Sequence, residues 1–274
     1  MASVNYVALR LLRRFLPKQV IQWMMRFSFG IEPGLETREP ELAAERYESA
    51  LQSHGKTFQQ KRVMVLGYGG FFGLAVSVLD RGAKHVLLLD PYADLKHKDN
   101  QNLARSNSNY LTLKGNQTLP NPDWITTLRM HVTDYVETDP IPVDLIISSS
   151  VYEHLPNPGQ ITTRLARVTA ENGDHVHIID LRDHYFKFPF EMLCYSRATW
   201  ERLLNPSSNL NRLRLWEYES VFKQYFENVQ VDILTEDRKS FRSIRERIRP
   251  EFLSGDETVD SASKIQVFAS KPIR

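Results

Sequence analysis

Two acid–imidazole pairs in the chain have the composition of proton-transfer machinery. One is Glu153–His154 in VDLIISSSVYEHL (143–155), and the other is Asp183–His184 in DLRDHY (180–185). A carboxylate beside an imidazole orients the ring and raises its basicity, which suits removal of a hydroxyl proton. His184 is the first candidate base, with Asp183 beside it, and His154 is the second. Asp180, Asp183 and His184 also have the donor types of a divalent-ion site, but their spacing does not define one and no metal is assigned. A third stretch, VMVLGYGGFFGLAV (63–76), sets Gly67, Gly69, Gly70 and Gly73 among apolar residues. Glycine lets a backbone turn tightly and approach a ligand closely.

The elements that must position these groups are legible as alternating apolar runs. RVMVLG (62–67) and HVLLLD (85–90) read as strands buried on both faces, with a helix at 71–82 between them. Further strands are expected within ITTLRMHVTDY (125–135), VDLIISSSV (143–151), HVHIIDL (175–181), VQVDIL (229–234) and KIQVFASK (264–271). Helices are expected at 41–55, 158–174, 218–226 and 238–253, and a helix plus a loop over 93–123. This order predicts an α/β, Rossmann-like, mostly parallel seven-stranded sheet with helices on both faces. In such sheets ligands sit beyond the carboxyl ends of the strands, where the two acid–imidazole pairs and the glycine loop fall.

The chain of 274 residues is 42% hydrophobic and 25% charged, enough for one large core. Residues 41–274 are expected to form that domain, and residues 1–40 a helical extension and linker, with EPGLETREP (32–40) as the linker proper. Residues 1–31 carry Arg10, Arg13, Arg14, Lys18 and Arg26 and no acid, so this segment holds +5 of a net +2. With its apolar stripe, residues 1–29 suit either an anionic membrane surface or a cap packed on the domain. A lone cysteine, Cys194, excludes a disulfide framework. No apolar run approaches the ~20 residues of a membrane-spanning helix, and the arginines interrupt any secretory signal. A cytoplasmic protein is expected, with the 1–29 segment able to lie on the cytoplasmic membrane face. The near-neutral balance and the lack of an RNA-binding module argue against nucleic acid, despite the basic run at 238–249. The oligomeric state is not legible.

Residues 182–216 form an aromatic-rich insertion after the fifth strand, expected to act as a lid and acceptor pocket. Tyr185 is expected to supply a ring there, and Arg212 and Arg214 in NLNRLR (209–214) anion contacts, with Glu153 after the fourth strand as a further expected substrate contact.

Three glycine fingerprints compete for the loop at 67–73. The dinucleotide pattern G-x-G-x-x-G fails because Phe72 stands where the third glycine belongs. G-x-x-G-x-x-G fits Gly67, Gly70 and Gly73 and resembles nucleotide-sugar epimerases of the extended short-chain dehydrogenase group. Their Tyr-x-x-x-Lys pair has counterparts only at Tyr92/Lys96 and Tyr110/Lys114, upstream of where that chemistry belongs. The third pattern gains support downstream: DPY (90–92) ends the second strand, HVTDY (131–135) follows the third, and SSSVYEHL (148–155) the fourth. In this order over residues 41–181 the chain resembles the class I S-adenosylmethionine-dependent methyltransferases. The resemblance implies a loop of Gly67, Tyr68, Gly69, Gly70 and Gly73 around the donor, and Asp90 with Pro91 at the ribose. It further implies Asp134 with Tyr135 at the adenine, and Ser149 and Ser150 beside the donor. The implied activity is methyl transfer from S-adenosylmethionine, most simply to oxygen, on a small-molecule, glycan or lipid-linked acceptor. Many members carry an acid two residues before the first glycine, where this chain has Val65. That departure leaves a non-catalytic protein on the same fold as an alternative, beside the epimerase or reductase.

Overall fold

The computed structural model describes residues 4–15, 35–183, 188–205 and 210–274. Five consecutive apolar-rich residues form each of the first two strands, β1 (Arg62–Leu66) and β2 (His85–Leu89). A hairpin follows, β3 (Leu111–Lys114) and β4 (Gln117–Pro120), then β5 (Ile125–Leu128), β6 (Val143–Ser149), β7 (Thr169–Asp180), β8 (Phe226–Glu236) and β9 (Ala262–Pro272). Seven of these make one sheet in the order β5-β2-β1-β6-β7-β9-β8. The pairs β1–β2, β1–β6, β2–β5 and β6–β7 are parallel, while β9 runs antiparallel to both β7 and β8. The mostly parallel seven-stranded sheet read from the sequence is therefore present, with one reversed strand inserted next to its edge.

Among the described residues the principal helices are α1 (Val4–Phe15), α2 (Leu35–Arg38), α3 (Pro40–Gln52), α4 (Gly73–Asp80), α5 (His97–Ser106), α6 (Val132–Val136), α7 (Pro158–Val168), α8 (Leu215–Lys223) and α9 (Arg238–Ile244), with further short turns at Arg197–Thr199 and Glu257–Asp260. Alternate residues of β1 explain the layering. Val63 and Val65 pack with Ala43, Tyr47 and Leu74 of α3 and α4, whereas Met64 and Leu66 pack with Leu165, Tyr218 and Phe222 of α7 and α8. A strand covered on both faces must read as a continuous apolar run, which is how β1, β2 and β6 read.

Several boundaries depart from the sequence expectation. The 32–40 linker contains the helical turn α2, joined to α3 by a Glu36–Arg46 ion pair of 2.6 Å. The loop expected within 93–123 is in part the β3–β4 hairpin, turned by Gly115 (φ 60°) and Asn116. Helix α7 ends at Val168, and the turn expected after it within 158–174 is instead the start of β7, which begins pairing with β6 at Thr169 and not at 175. The basic run expected as one helix over 238–253 is helical only to Ile244 and continues as short 3-10 turns.

A third apolar cluster lies under the insertion: Tyr6, Phe190, Met192, Trp200, Leu210 and Phe241. Among the described aromatic residues of the insertion, Phe190 and Trp200 are core, and half-buried Phe188 and Tyr195 pack against them. Helix α1 is part of this cluster, with Tyr6 fully buried and Arg10 2% exposed, while Leu9 and Leu12 face outward. The described part of the extension is a cap docked on the domain. The second half of the amphipathic segment, 18–29, lies outside the described residues. No helix among the described residues is long and apolar enough to cross a membrane.

Candidate active site

The glycine turn is built by contacts from three directions. Gly70 holds φ 80°, and a Cβ there would stand 1.9 Å from the Asp94 carbonyl oxygen, so the position admits no side chain. Lys96 N donates to Gly70 O at 3.1 Å and Asn100 Nδ2 donates to the same oxygen at 2.9 Å. Asn100 Oδ1 in turn accepts from Phe72 N at 3.0 Å. Buried Asn100 therefore clamps both ends of the turn, and it was missed by the sequence reading because its partners are backbone atoms some thirty residues away. Gly69 is different: at φ 64° its Cβ would meet nothing nearer than Thr37 Oγ1 at 3.8 Å. The Cα face of Gly69 opens into a space between the turn and α2. A backbone cradle of this kind is what an approaching ligand needs.

Asp90, at the tip of β2, faces this cradle. Its Oδ2 accepts from Gly69 N at 3.0 Å and its Oδ1 from Tyr92 N at 2.9 Å. The residue is 8% exposed. Each oxygen keeps a further lone pair, so the oriented carboxylate can still accept two hydroxyl protons. Pro91 continues the turn, half-buried. Beyond it the exposed ring of Tyr92 meets His131 edge-to-face, with centroids 5.6 Å apart. These two rings join the ends of β2 and β5 and flank the place expected for a base. Asp134 is exposed on α6 there, while Tyr135 is buried in the core with its ring packed inward.

At the end of β6, Ser149 is half-buried and Ser150 is exposed at φ 53°. A non-glycine residue in the left-handed region costs about 1–2 kcal/mol, so this turn is held in place by its surroundings. The turn leads to Glu153, which is 4% exposed, and neither of its carboxyl oxygens has a hydrogen-bond partner. Burial, reinforced by the charge of nearby Asp180, pushes its pKa up to about 8. Glu153 is therefore a buried, protonated acid at neutral pH, adjoining the carboxyl ends of β6 and β7. His154 is half-buried on the same turn.

The structure corrects the assignment of Asp183. Its carboxylate is fully buried and accepts from Tyr6 Oη and Arg10 Nη2 of α1. It anchors the N-terminal helix and, fully buried, is not exposed at a pocket mouth. His184 and Tyr185 lie outside the described residues. Arg214 is also corrected: fully buried, it donates from Nη2 to Asp260 O (2.9 Å) and Ala262 O (3.0 Å), tying the insertion to β9. Asp180 is engaged by Arg182, whose Nε and Nη2 donate to its two oxygens at 3.0 and 2.6 Å. No group of metal-ligating side chains is found among the described residues.

Behind the site runs a chain of buried hydrogen bonds whose direction is fixed. Thr169 Oγ1 donates its one proton to Leu165 O at 2.7 Å, so it must accept from His175 Nε2 at 2.8 Å. His175 Nδ1 then accepts from His177 Nε2 at 3.1 Å, and His177 Nδ1 accepts from Ser148 Oγ at 2.7 Å. Both imidazoles are fully buried and neutral; burial lowers the pKa of His175 to about 3 and that of His177 well below the ordinary value.

No protein-family model and no curated protein sequence matches the chain. Solved structures do. An S-adenosylmethionine-dependent methyltransferase from Mesorhizobium loti matches at 17% identity and a TM-score of 0.44, over 81% of this chain and 96% of that one. A chain of the complex between the Haloferax volcanii Trm112 methyltransferase activator and a methyltransferase matches at 16% identity and a TM-score of 0.45, over 87% of this chain and 96% of that one. Likeness at this level concerns chain path and says nothing of substrate. With its strand order, its one reversed strand and a glycine turn after β1, the chain has the Rossmann-like, seven-stranded fold of the class I S-adenosylmethionine-dependent methyltransferases.

Proposed function

We propose that the protein transfers a methyl group from S-adenosylmethionine to an oxygen of a small-molecule, glycan or lipid-linked acceptor. One observation carries this reading: the Asp90 carboxylate is held by Gly69 N at the mouth of an open backbone cradle. A ribose diol fits a carboxylate so oriented, and the base fits between Tyr92 and His131. The donor supplies an electrophilic methyl group on a sulfonium. The chain's own residues bind and align. Gly69 and Asp90 seat the sugar, and the strained Ser150 turn shapes the wall toward the acceptor. Proton removal falls to an imidazole, His154 on this turn or His184, and a pH–rate comparison of His154→Gln with His184→Gln separates them. Glu153, protonated beside His154, leaves the turn without a second negative charge. The Tyr-x-x-x-Lys pairs of the epimerase alternative do not form on a helix: Lys96 precedes α5, and Lys114 lies in β3.

Calorimetry tests the reading. S-adenosylmethionine and its demethylated product should bind, and NAD should not. Asp90→Asn removes hydrogen bonds to a charged group worth about 1.5–3 kcal/mol, a loss of roughly 10- to 100-fold in affinity. Binding of NAD in place of the sulfonium overturns the assignment.

A further inference from the structure

The insertion forms one side of an open cavity of about 520 Å³, lined in part by Pro156, Trp200, Asn211, Arg212, Glu217 and Phe252. Arg212 is its distinctive member. The residue is 6% exposed, and its Nη1 donates to Met192 O at 3.0 Å and Tyr195 O at 2.7 Å. Its guanidinium lies 5.1 Å from the Trp200 ring centroid and 4.8 Å from that of Phe252. Among the described residues no acceptor meets its Nε or Nη2, and no carboxylate pairs with it.

The acids around the cavity are already engaged. Glu201 pairs with Arg197 at 2.7 Å, Glu251 with Arg249 at 2.5 Å, and Glu217 accepts from Arg214 N at 2.8 Å. Arg212 is thus a desolvated cation with no carboxylate in direct contact; burial lowers its pKa to about 10, against the opposing pull of the more distant Glu251 and Glu201 charges. Its backbone stands at φ 65°, a conformation that no bulky L residue adopts without external constraint. The constraint comes from Asn211, whose Nδ2 donates to Tyr152 O (2.7 Å) and Leu155 O (3.0 Å) and whose Oδ1 accepts from Leu213 N (3.0 Å). These bonds fasten the cavity to the turn after β6, next to Ser150 and Glu153.

We propose that this cavity binds an oxyanion, a phosphate or carboxylate group of the acceptor, on the Nε–Nη2 edge of Arg212 with the Trp200 ring as its wall. A guanidinium edge presents two parallel N–H donors that match two oxygens of either group. Naming the ligand as the acceptor rests on the methyl-transfer reading; the oxyanion site itself does not. An anion there supplies the direct ion-pair partner that Glu201 and Glu251, held by Arg197 and Arg249, do not.

The test uses the full chain without donor, titrated with phenyl phosphate, benzoate and inorganic phosphate by calorimetry and tryptophan fluorescence. A saturable, salt-sensitive response to phenyl phosphate or benzoate is expected, and the stronger of the two identifies the group. Arg212→Gln should weaken it at least tenfold. Because that change also removes two bonds to carbonyls, Glu251→Gln at the exposed rim provides a second arm: loss of a nearby negative charge should tighten binding by about 2-fold. Absence of a response to all three probes, undiminished binding by Arg212→Gln, or unchanged affinity in Glu251→Gln overturns the proposal. S-adenosylmethionine binding measured on the same proteins separates the two readings. Donor binding without oxyanion binding sinks only the cavity, and the reverse sinks only the methyl donor.

Discussion

The buried imidazoles make stability depend on pH in a way that can be worked out in sign and size. His175 and His177 stay neutral in the folded chain. In the unfolded chain each takes up a proton as pH falls through about 6.5. Below that value the unfolded state binds two more protons than the folded one, so stability falls as pH falls, by about 1.4 kcal/mol per pH unit per histidine. Glu153 acts in the opposite sense. Its folded pKa is raised to about 8, against about 4.3 unfolded, so its contribution is complete below 4.3 and is lost as pH rises to 8. Between 4.3 and 6.5 the two histidines exceed the one acid, leaving a net loss of about 1.4 kcal/mol per unit on acidification. Between 6.5 and 8 only the acid operates, and stability falls as pH rises at about the same slope. Stability should therefore peak near pH 6.5 and drop by about 2 kcal/mol at either pH 5 or pH 8. Glu153→Gln removes one arm. Its stability should be flat from 6.5 to 8 and fall by about 4 kcal/mol between 6.5 and 5. Urea unfolding at these three pH values reads both proteins. A wild-type curve without a maximum, with His175 and His177 titrating near 6.5 by NMR, would refute the buried hydrogen-bond chain.

Asp183→Ala should destabilise the fold by about 3–5 kcal/mol, since it removes the carboxylate paired with the buried Arg10 charge, and should expose α1 to protease before the rest of the domain unfolds. Gly70→Ala should abolish donor binding, because its Cβ would meet Asp94 O at 1.9 Å, whereas a Cβ at Gly69 finds 3.8 Å of clearance. Gly69→Ala should cost only about 1–2 kcal/mol of backbone strain in urea titrations, and calorimetry on the two variants distinguishes structural from ligand-facing glycine. Burial, with Glu191 nearby, pushes the Cys194 thiol up to about 12. In the native protein at pH 7.5 this thiol should resist iodoacetamide, with mass spectrometry showing modification only after unfolding.

The parts of the site that were legible in the sequence are those whose function is local. The glycine turn, Asp90 and the run from β6 into Glu153 sit within a few residues of a strand end, and strand ends follow from apolar runs. Asp183 was misread because its partners, Tyr6 and Arg10, are 177 and 173 residues away. Asn100 was overlooked for a similar reason: its partners are main-chain atoms, which leave no mark in side-chain patterns. Two features were legible and passed over. Gly115–Asn116 between TLK and QTL is a two-residue hairpin signal, and His175 and His177 stand two apart on a strand, hence on one face. A pair of histidines on a buried strand face requires a partner for every ring nitrogen, and Ser148 and Thr169 were the nearest hydroxyls at neighbouring positions of the sheet and its leading turn.

The arginines show why residue type alone did not locate anion contacts. Arg10 is spent on Asp183, Arg214 on three carbonyls, Arg247 on Glu191 and Arg182 on Asp180. On the basic run, Arg238 pairs with Glu236, Arg242 with Glu257 and Arg249 with Glu251, so much of its positive charge is locally matched. A fully buried guanidinium that no ligand can reach, such as Arg214 even with its Nε left without a partner, gains nothing from a ligand, and an exposed one gains little because water and salt already screen it. The configuration that favours an incoming anion is a cation removed from water whose outer edge is left unbonded. Arg214 and Arg212 differ by two residues in NLNRLR, and both are lowered to about 10 by burial. Arg214 reaches three carbonyl oxygens, while Arg212 reaches two through a single nitrogen and lines a cavity. The difference lies in the left-handed backbone of Arg212 and in the Asn211 bonds that impose it, which sequence composition does not encode.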